Sequence, residues 1–411
     1  MAVAEGLALG RLNDLLERLR TRVPFYARRI GERRISSFEE FAELPLTTRD
    51  DFRTTYPFGL FAVPMEEVVR LHMSSGTRGK PVVVGYTARD VADWGEAMAS
   101  VLSGAGVTSR DVIQNAFPYG LFTGGMGYQL GAERLGVTVV PTGTGVTHRQ
   151  VMLIEDLGVT VLACPPSYAL VLAEAIAREK VRTKLKLRIG FFGAEPWSDG
   201  MRHQIEYALG LEPYDVYGLT ELGGPGVAAE CREHDGLHIL EDYFYAEVID
   251  PHSGRAVPDG VEGELVITSL RREATPVLRY RTRDRSVLVA EPCRCGNPAR
   301  RIRKVSGRTD DLLMLNGGNV FPSQIESILL AVDGLTGNYQ LVVDRQAKQL
   351  DTLQVLVEAR DGGDPDQLKR TARERIRETV GIECTVTVLG AGILPRFDDR
   401  ASRVVDRRKV S

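Results

Sequence analysis

The sequence predicts an α/β protein: a large N-terminal layered α/β domain with a β-rich subdomain, followed by a small α+β C-terminal domain. Three observations carry this reading. Between residues 66 and 215, short apolar runs alternate with helical patterns, as buried parallel strands and their crossover helices do. From 216 to 309 the runs shorten and Gly and Pro punctuate them, the signature of antiparallel strands. From 310 to 411 the order reads strand, helix, strand, strand, helix, strand.

Residues 1–65 form a helical lead-in. Leu12, Leu15, Leu16 and Leu19 recur at helical spacing and Pro24 lies beyond that helix. Thr47 or Thr48 is expected to cap the next one. The core strands are expected at Val68–Leu71, Val82–Tyr86, Val112–Ala116, Val137–Val140, Val159–Cys164 and Leu187–Phe192. Helices fall at 88–104, 125–135, 147–157, 167–179 and 197–209. The β-rich part offers His238–Leu240, Ala246–Ile249, Gly263–Leu270, Leu278–Tyr280 and Ser286–Val289. Helices Ser323–Ala331 and Pro365–Val380 and strands Leu353–Glu358 and Cys384–Val388 belong to the last domain.

A chain of 411 residues with a formal charge of −3 has room for a large core and no electrostatic reason to bind nucleic acid. Glu5, Asp14 and Glu17 interrupt the N-terminal apolar residues, so neither a secretory signal nor a membrane span is expected there. Five cysteines, an odd number, argue against a disulfide framework. The expectation is a cytoplasmic enzyme. A homodimer is compatible with the sequence.

The chemistry centres on Leu71-His72-Met73-Ser74-Ser75-Gly76-Thr77-Arg78-Gly79-Lys80-Pro81. Glycines let backbone N–H groups approach an anion, while Ser74, Ser75, Thr77 and Lys80 add donors and charge around Gly76 and Gly79. Such a run suits a polyphosphate. It is not the helix-leading P-loop, because Pro81 follows Lys80 and a strand follows Pro81; the loop belongs at a hairpin tip.

Further along, Tyr217 can stack on a purine and Asp215 can accept from its exocyclic amine. Thr220 can donate to a phosphate oxygen, and Glu221 offers a hard oxygen ligand for Mg²⁺. The two carboxylate oxygens of Asp284 match a vicinal diol such as ribose. Cys293 and Cys295, one residue apart, combine with Cys231 and a histidine into a four-ligand N/S set, the composition of a structural Zn²⁺ site. His238 is the preferred fourth ligand and His234 the alternative. Tyr119, Gly120, Phe122, Thr123, Gly124 and Gly125 combine rings with glycines, as a pocket for a flat aromatic acid requires.

The phosphate loop, Tyr217-Gly218-Leu219-Thr220-Glu221, Tyr280-Arg281-Thr282-Arg283-Asp284, Gly307-Arg308-Thr309-Asp310-Asp311 and a basic C-terminal segment occur in the order of the adenylate-forming acyl-CoA synthetase superfamily. Val23-Pro24-Phe25-Tyr26, Gly193-Ala194-Glu195-Pro196 and Asn319-Val320-Phe321-Pro322-Ser323-Gln324-Ile325-Glu326 narrow the likeness. Over nearly its whole length the chain resembles the phenylacetate–CoA ligase family of aryl-CoA ligases.

The resemblance implies ATP, Mg²⁺ and CoA as ligands, an aromatic acid substrate and a mobile C-terminal lid hinged at Asp310. It implies that Gly193, Ala194, Glu195 and Pro196 hold adenine, with Gly218 beside Tyr217 and Arg308 as a second ribose or phosphate contact. Lys80, Thr220, Glu221 and Arg400 would carry catalysis. Arg400 stands where the family carries a lysine, a planar fork in place of a point charge; Lys409 is nine residues on. Asn316 and Gly318 also depart from the pattern, and Tyr243 replaces a usual histidine. These departures keep two further readings open: an adenylating enzyme with an acceptor other than CoA or an acid other than a carboxylic one, and a catalytically idle nucleotide-binding homologue.

Overall fold

The computed structural model describes residues 2–32, 34–74, 80–309, 313–315, 318–320, 322–345, 351–360, 362–394 and 403–408. They fall into two units. The first comprises Met1–Pro165, Glu174–Ala194 and Gly210–Val305, and the second Pro166–Ala173, Glu195–Leu209 and Ser306–Ser411.

The first unit is built on one large sheet. Strands Thr138–Val140, Val112–Asn115, Val161–Cys164, Ile189–Gly193 and Glu212–Leu219 lie side by side and parallel in that order. Val161–Cys164 and Ile189–Gly193 are buried at every residue, which is why they read as unbroken apolar runs. The sheet continues antiparallel through Gly224–Glu230, Leu237–Ile239, Arg301–Ile302, Tyr280–Val289, Glu262–Ser269 and Phe244–Ile249. Helices Ala88–Gly104, Gly124–Arg134 and Thr147–Asp156 alternate with the parallel strands.

The lead-in is a helix, Ala2–Arg22, whose Leu12, Leu15, Leu16 and Leu19 are buried as their spacing requires. Of the two threonines, Thr48 is the cap: it forms a capping box with Asp51 at the start of Arg49–Thr54. Thr47 instead pins this segment to the sheet. Its N–H donates to the Arg279 carbonyl at 3.0 Å, and its own carbonyl accepts from Arg281 N–H at 2.8 Å.

Two expectations need correction. The first strand of the phosphate-loop hairpin is Arg70–Met73, shifted two residues, and it pairs antiparallel with Val83–Tyr86. The short strands expected at Leu278–Tyr280 and Ser286–Val289 are one continuous strand, Tyr280–Val289. Between the buried Tyr280 and Leu288 its inward positions Thr282, Asp284 and Ser286 are polar, which interrupts the apolar alternation by which a strand is recognised.

In the second unit, strands Thr385–Leu389, Asp351–Ala359, Leu335–Arg345 and Val404–Asp406 form a sheet in that order. A hairpin, Leu313–Leu315 with Gly318–Val320, precedes helix Pro322–Leu330. Helix Pro365–Val380 is capped by Asp364, starts on proline, ends at Gly381 in the left-handed region (φ 74°), and buries Leu368, Ala372 and Ile376 on one stripe.

Candidate active site and metal centre

At the base of the phosphate loop, Ser74 N–H donates to the Val82 carbonyl and Val82 N–H donates to Ser74 Oγ, both at 3.0 Å. Ser75, Gly76, Thr77 and Gly79 lie outside the described residues. Lys80 Nζ sits 4.9 Å from the centre of the Tyr56 ring, a cation–π distance. Arg49, which the sequence reading did not single out, joins this loop to the acidic turn. Its Nη2 donates to Ser74 Oγ at 3.4 Å and its Nε lies 3.7 Å from Glu221 Oε1.

The strand Glu212–Leu219 carries Asp215, Tyr217 and Gly218 and runs straight into the 3₁₀ turn Thr220–Leu222. A side chain at Gly218 would come within 2.1 Å of the Gly224 carbonyl, so only glycine lets the two strands close here. Gly223, at φ 99°, ends the turn with its N–H donating to the Thr220 carbonyl at 2.9 Å. Thr220 and Glu221 are buried as a result.

Asp284 reaches Tyr217 through a bulge. Glu264 pairs with Arg285 and Val266 with Arg281, so three residues oppose one, and Arg283 takes the left-handed conformation (φ 68°). Thr282 fixes the bulge: its hydroxyl donates to the Leu265 carbonyl at 2.8 Å and accepts from Asp284 N–H at 3.0 Å. Tyr217 Oη then donates to Asp284 Oδ2 at 2.7 Å. Asp215 is buried alongside, its N–H donating to Glu230 at 2.8 Å.

At the end of strand Ile189–Gly193, a side chain on Gly193 would meet the Val216 carbonyl at 2.3 Å, and Ala194 adopts φ 67°. A left-handed alanine costs about 1–2 kcal/mol, a strain of the sort found where a turn is shaped for a ligand. Glu195 and Pro196 belong to the second unit. There the Glu195 carboxylate accepts from Ser167 N–H at 2.8 Å and lies 3.5 Å from Arg403, whose other arm donates to Glu326 at 2.9 Å. Arg308 is on the short strand Gly307–Arg308 of that unit. Asp310, Arg400 and Lys409 fall outside the described residues.

The aromatic-glycine run is anchored on the C-terminal end of strand Val112–Asn115. Asn115 Nδ2 donates to both Tyr119 Oη and the Gly125 carbonyl at 2.7 Å, and Tyr119 Oη donates on to Gln129 at 2.9 Å. Burial pushes the Tyr119 phenol up to about 12. Phe122 is half-buried, Thr123, Gly124 and Gly125 are buried, and Gly120 takes φ 87°. The run touches the acidic turn's exit: a Cβ on Gly224 would lie 3.0 Å from Thr123 Cβ.

The cysteine–histidine set converges. The ligand atoms of Cys231, His238, Cys293 and Cys295 all lie within 4.8 Å of one another. Cys231 Sγ is 3.7 Å from Cys293 Sγ, and Cys295 Sγ is 3.3 Å from His238 Nε2. A zinc tetrahedron with bonds near 2.3 Å sets its sulfur ligands about 3.7 Å apart, so the set fits that ion. His238 Nδ1 lies 3.1 Å from the Ala299 carbonyl, an arrangement that turns the Nε2 lone pair to the thiols. His234 is elsewhere, between Glu212 at 3.1 Å and Glu230 at 3.2 Å. Of the two candidates, the geometry selects His238.

Residues 34–270 match the AMP-binding enzyme family and residues 317–408 the AMP-binding enzyme C-terminal domain. A phenylacetate–coenzyme A ligase of Pseudomonas putida is 44% identical across 98% of this chain and 94% of its own length. The chain belongs to the phenylacetate–coenzyme A ligase family of AMP-binding enzymes. A relative of the same description from Thermus thermophilus is 43% identical over 97% of this chain and 95% of its own. Among solved structures, a 2-hydroxyisobutyryl-CoA ligase in the postadenylation state, bound to R3-HIB-AMP, superposes with a TM-score of 0.92 at 28% identity. That match covers 99% of this chain and 90% of the other. The fold is accordingly the adenylate-forming one.

Proposed function

We propose that this protein activates an aromatic carboxylic acid with ATP as its acyl-adenylate and then forms the coenzyme A thioester. The chemistry is that of an ATP-dependent, AMP-forming acid–CoA ligase. The observation that carries the reading is the link made by Arg49, which touches both Ser74 of the phosphate loop and Glu221 of the acidic turn. Two motifs 147 positions apart in the chain thereby border one space, and Tyr217, at the end of the strand that leads into the acidic turn, hydrogen-bonds to Asp284 on a different strand of the sheet.

In the first step a carboxylate oxygen of the acid attacks the α-phosphorus, the bond to the β-phosphate oxygen breaks and pyrophosphate leaves. Asp284 accepts from the ribose hydroxyls and Tyr217 holds the purine face. Thr220 donates to an α-phosphate oxygen, while Lys80 and Arg49 offset negative charge around the triphosphate. Glu221 supplies a hard oxygen for Mg²⁺, which when bound neutralises phosphate charge. In the second step the thiol sulfur of coenzyme A attacks the acyl carbon, its proton is lost and AMP departs. Arg400 serves adenylation and Asp310 the lid's hinge. Cys231, His238, Cys293 and Cys295 would hold a zinc ion in a structural role.

The test is pyrophosphate release with benzoates, phenylacetates and cinnamates, with and without coenzyme A. Release that requires acid and Mg·ATP, with acyl-CoA formed when coenzyme A is present, supports the proposal. No release from folded protein with any acid contradicts it, and acyl-adenylate that coenzyme A never consumes points to another acceptor.

A further inference from the structure

Directly beyond Glu221, the exit of the acidic turn opens on a small pocket of about 30 Å³, room for a water or one small polar group and partly continuous with solvent. Leu222, Gly223, Pro225 and Trp94 form its apolar walls. Asp93, Arg271 and Arg272 line it as well, a dense set of charges for an otherwise apolar hollow.

These charges are held in place. Helix Ala88–Gly104 begins with a capping box between Thr87 and Asp90. The same Asp90 carboxylate accepts from Glu273 N–H at 2.8 Å and Ala274 N–H at 2.9 Å, which fastens the loop carrying Arg271 and Arg272 to the helix start. Asp93 follows one turn later. Arg271 Nη2 donates to Asp93 Oδ1 at 2.8 Å and its guanidinium lies 4.9 Å from the centre of the Tyr243 ring. Arg272 lies over Tyr86 at 4.1 Å with Nη2 on the Gly85 carbonyl at 2.9 Å. Gly223 leaves room for it, since a Cβ there would come within 2.6 Å of Arg272 Nη1.

Two polar atoms of this wall, Asp93 Oδ2 and Arg272 Nε, are shut from solvent and have no hydrogen-bond partner among the described residues. A buried polar group left unpaired is costly. A small side-chain adjustment toward the adjoining empty space lets a bound polar group satisfy them. Asp93 Oδ2 asks for a donor, and the guanidinium paired with Asp93 offers N–H groups to an acceptor. A hydroxyl does both at once. A second carboxylate would meet Asp93, an ammonium would meet Arg271 and Arg272, and an alkyl group would satisfy neither.

Building on the proposed acid activation, we propose that this pocket is a specificity subsite for a hydroxyl group carried by the acid at a distance from its carboxylate. The placement supports it. Leu222 follows the catalytic Thr220–Glu221 pair without a break, and Gly224, next to the pocket, packs on Thr123 of the acid-side run. An acid whose carboxylate lies at Thr220 can direct its far end into this space.

The test compares pyrophosphate release for matched acids: phenylacetic against 3- and 4-hydroxyphenylacetic, and benzoic against 3- and 4-hydroxybenzoic. The expected result is a kcat/KM at least about tenfold higher for one hydroxylated isomer than for its parent, the size of one hydrogen bond. Asp93→Asn, which keeps volume, and Asp93→Ala should both bring that ratio close to one, with the parent acid's kcat/KM changed less than about threefold. Both variants are to be checked for native thermal unfolding, and the Asn variant carries the test should the Ala variant not fold. A wild-type enzyme that prefers the parent acids, or a preference untouched in Asp93→Asn, overturns the subsite while leaving acid activation intact. No release with any acid overturns both.

Discussion

The two ends of the site are built on opposite terms. At the proposed ribose end the polar groups bond to one another: Thr282 to Asp284, Asp284 to Tyr217, and Thr282 back to the sheet. At the far end, behind Leu222, Asp93 Oδ2 and Arg272 Nε are buried beside an apolar wall with no hydrogen-bond partner among the described residues. The first arrangement is rigid before any ligand arrives, which suits a constant ligand such as a nucleotide. The second leaves hydrogen bonds to be completed by whatever enters, which suits the part of a substrate that must be told from its analogues.

Substitutions at each end should therefore fail differently. Glu221→Gln removes the hard ligand beside the phosphate loop and should lower kcat/KM for pyrophosphate release by roughly 10²–10³-fold with every acid alike. A loss that varied with the acid would break the division between the two ends. Asp284→Asn should raise KM for ATP by about 10- to 100-fold with a smaller effect on kcat, since it weakens charge-assisted bonds to the ribose; a matching rise in KM for the acid would count against the assignment. Arg49→Ala should cost roughly three- to tenfold in kcat/KM, a modest loss because Arg49 is well exposed and its pairing with Glu221 is screened. Its effect should shrink at high salt.

The cysteine–histidine cluster, the proposed zinc site, offers the sharpest control, because it should touch neither end. Metal analysis should find one zinc per chain, and Cys293→Ser should lower the midpoint of thermal unfolding by several degrees. Burial pushes the metal-free Cys231 thiol up to about 12, so loading zinc at neutral pH should release protons. A Cys293→Ser protein of unchanged thermal stability would show that the four side chains meet for some other reason.

Much of this was legible in the sequence, for identifiable reasons. Parallel strands such as Val161–Cys164 are buried on both faces, so composition alone reveals them. The candidate metal ligands announce themselves because two cysteines one residue apart, with a further cysteine and histidine upstream, have the composition of an N/S metal site. The strand Tyr280–Val289 stayed hidden, since its inward face carries Thr282, Asp284 and Ser286 and its outward positions carry arginines. No local pattern marks Arg49, because its contacts with Ser74 and with a Glu221 far along the chain arise only in the fold. The pocket was invisible for the same reason: Asp93 and Arg271 become neighbours only through the Asp90 cap that fastens two distant segments. Tyr243, noted in the sequence only as a departure, finds its place in that wall under Arg271.

The central claim is that Asp284 and Tyr217 present a preformed nucleotide site beside Glu221. Calorimetric titration of Mg·ATP into the folded full-length protein tests it most directly. The account predicts one ATP per chain and at least tenfold weaker binding to Asp284→Asn. Absence of binding to the wild-type protein, or equal affinity for the Asp284→Asn variant, would contradict it.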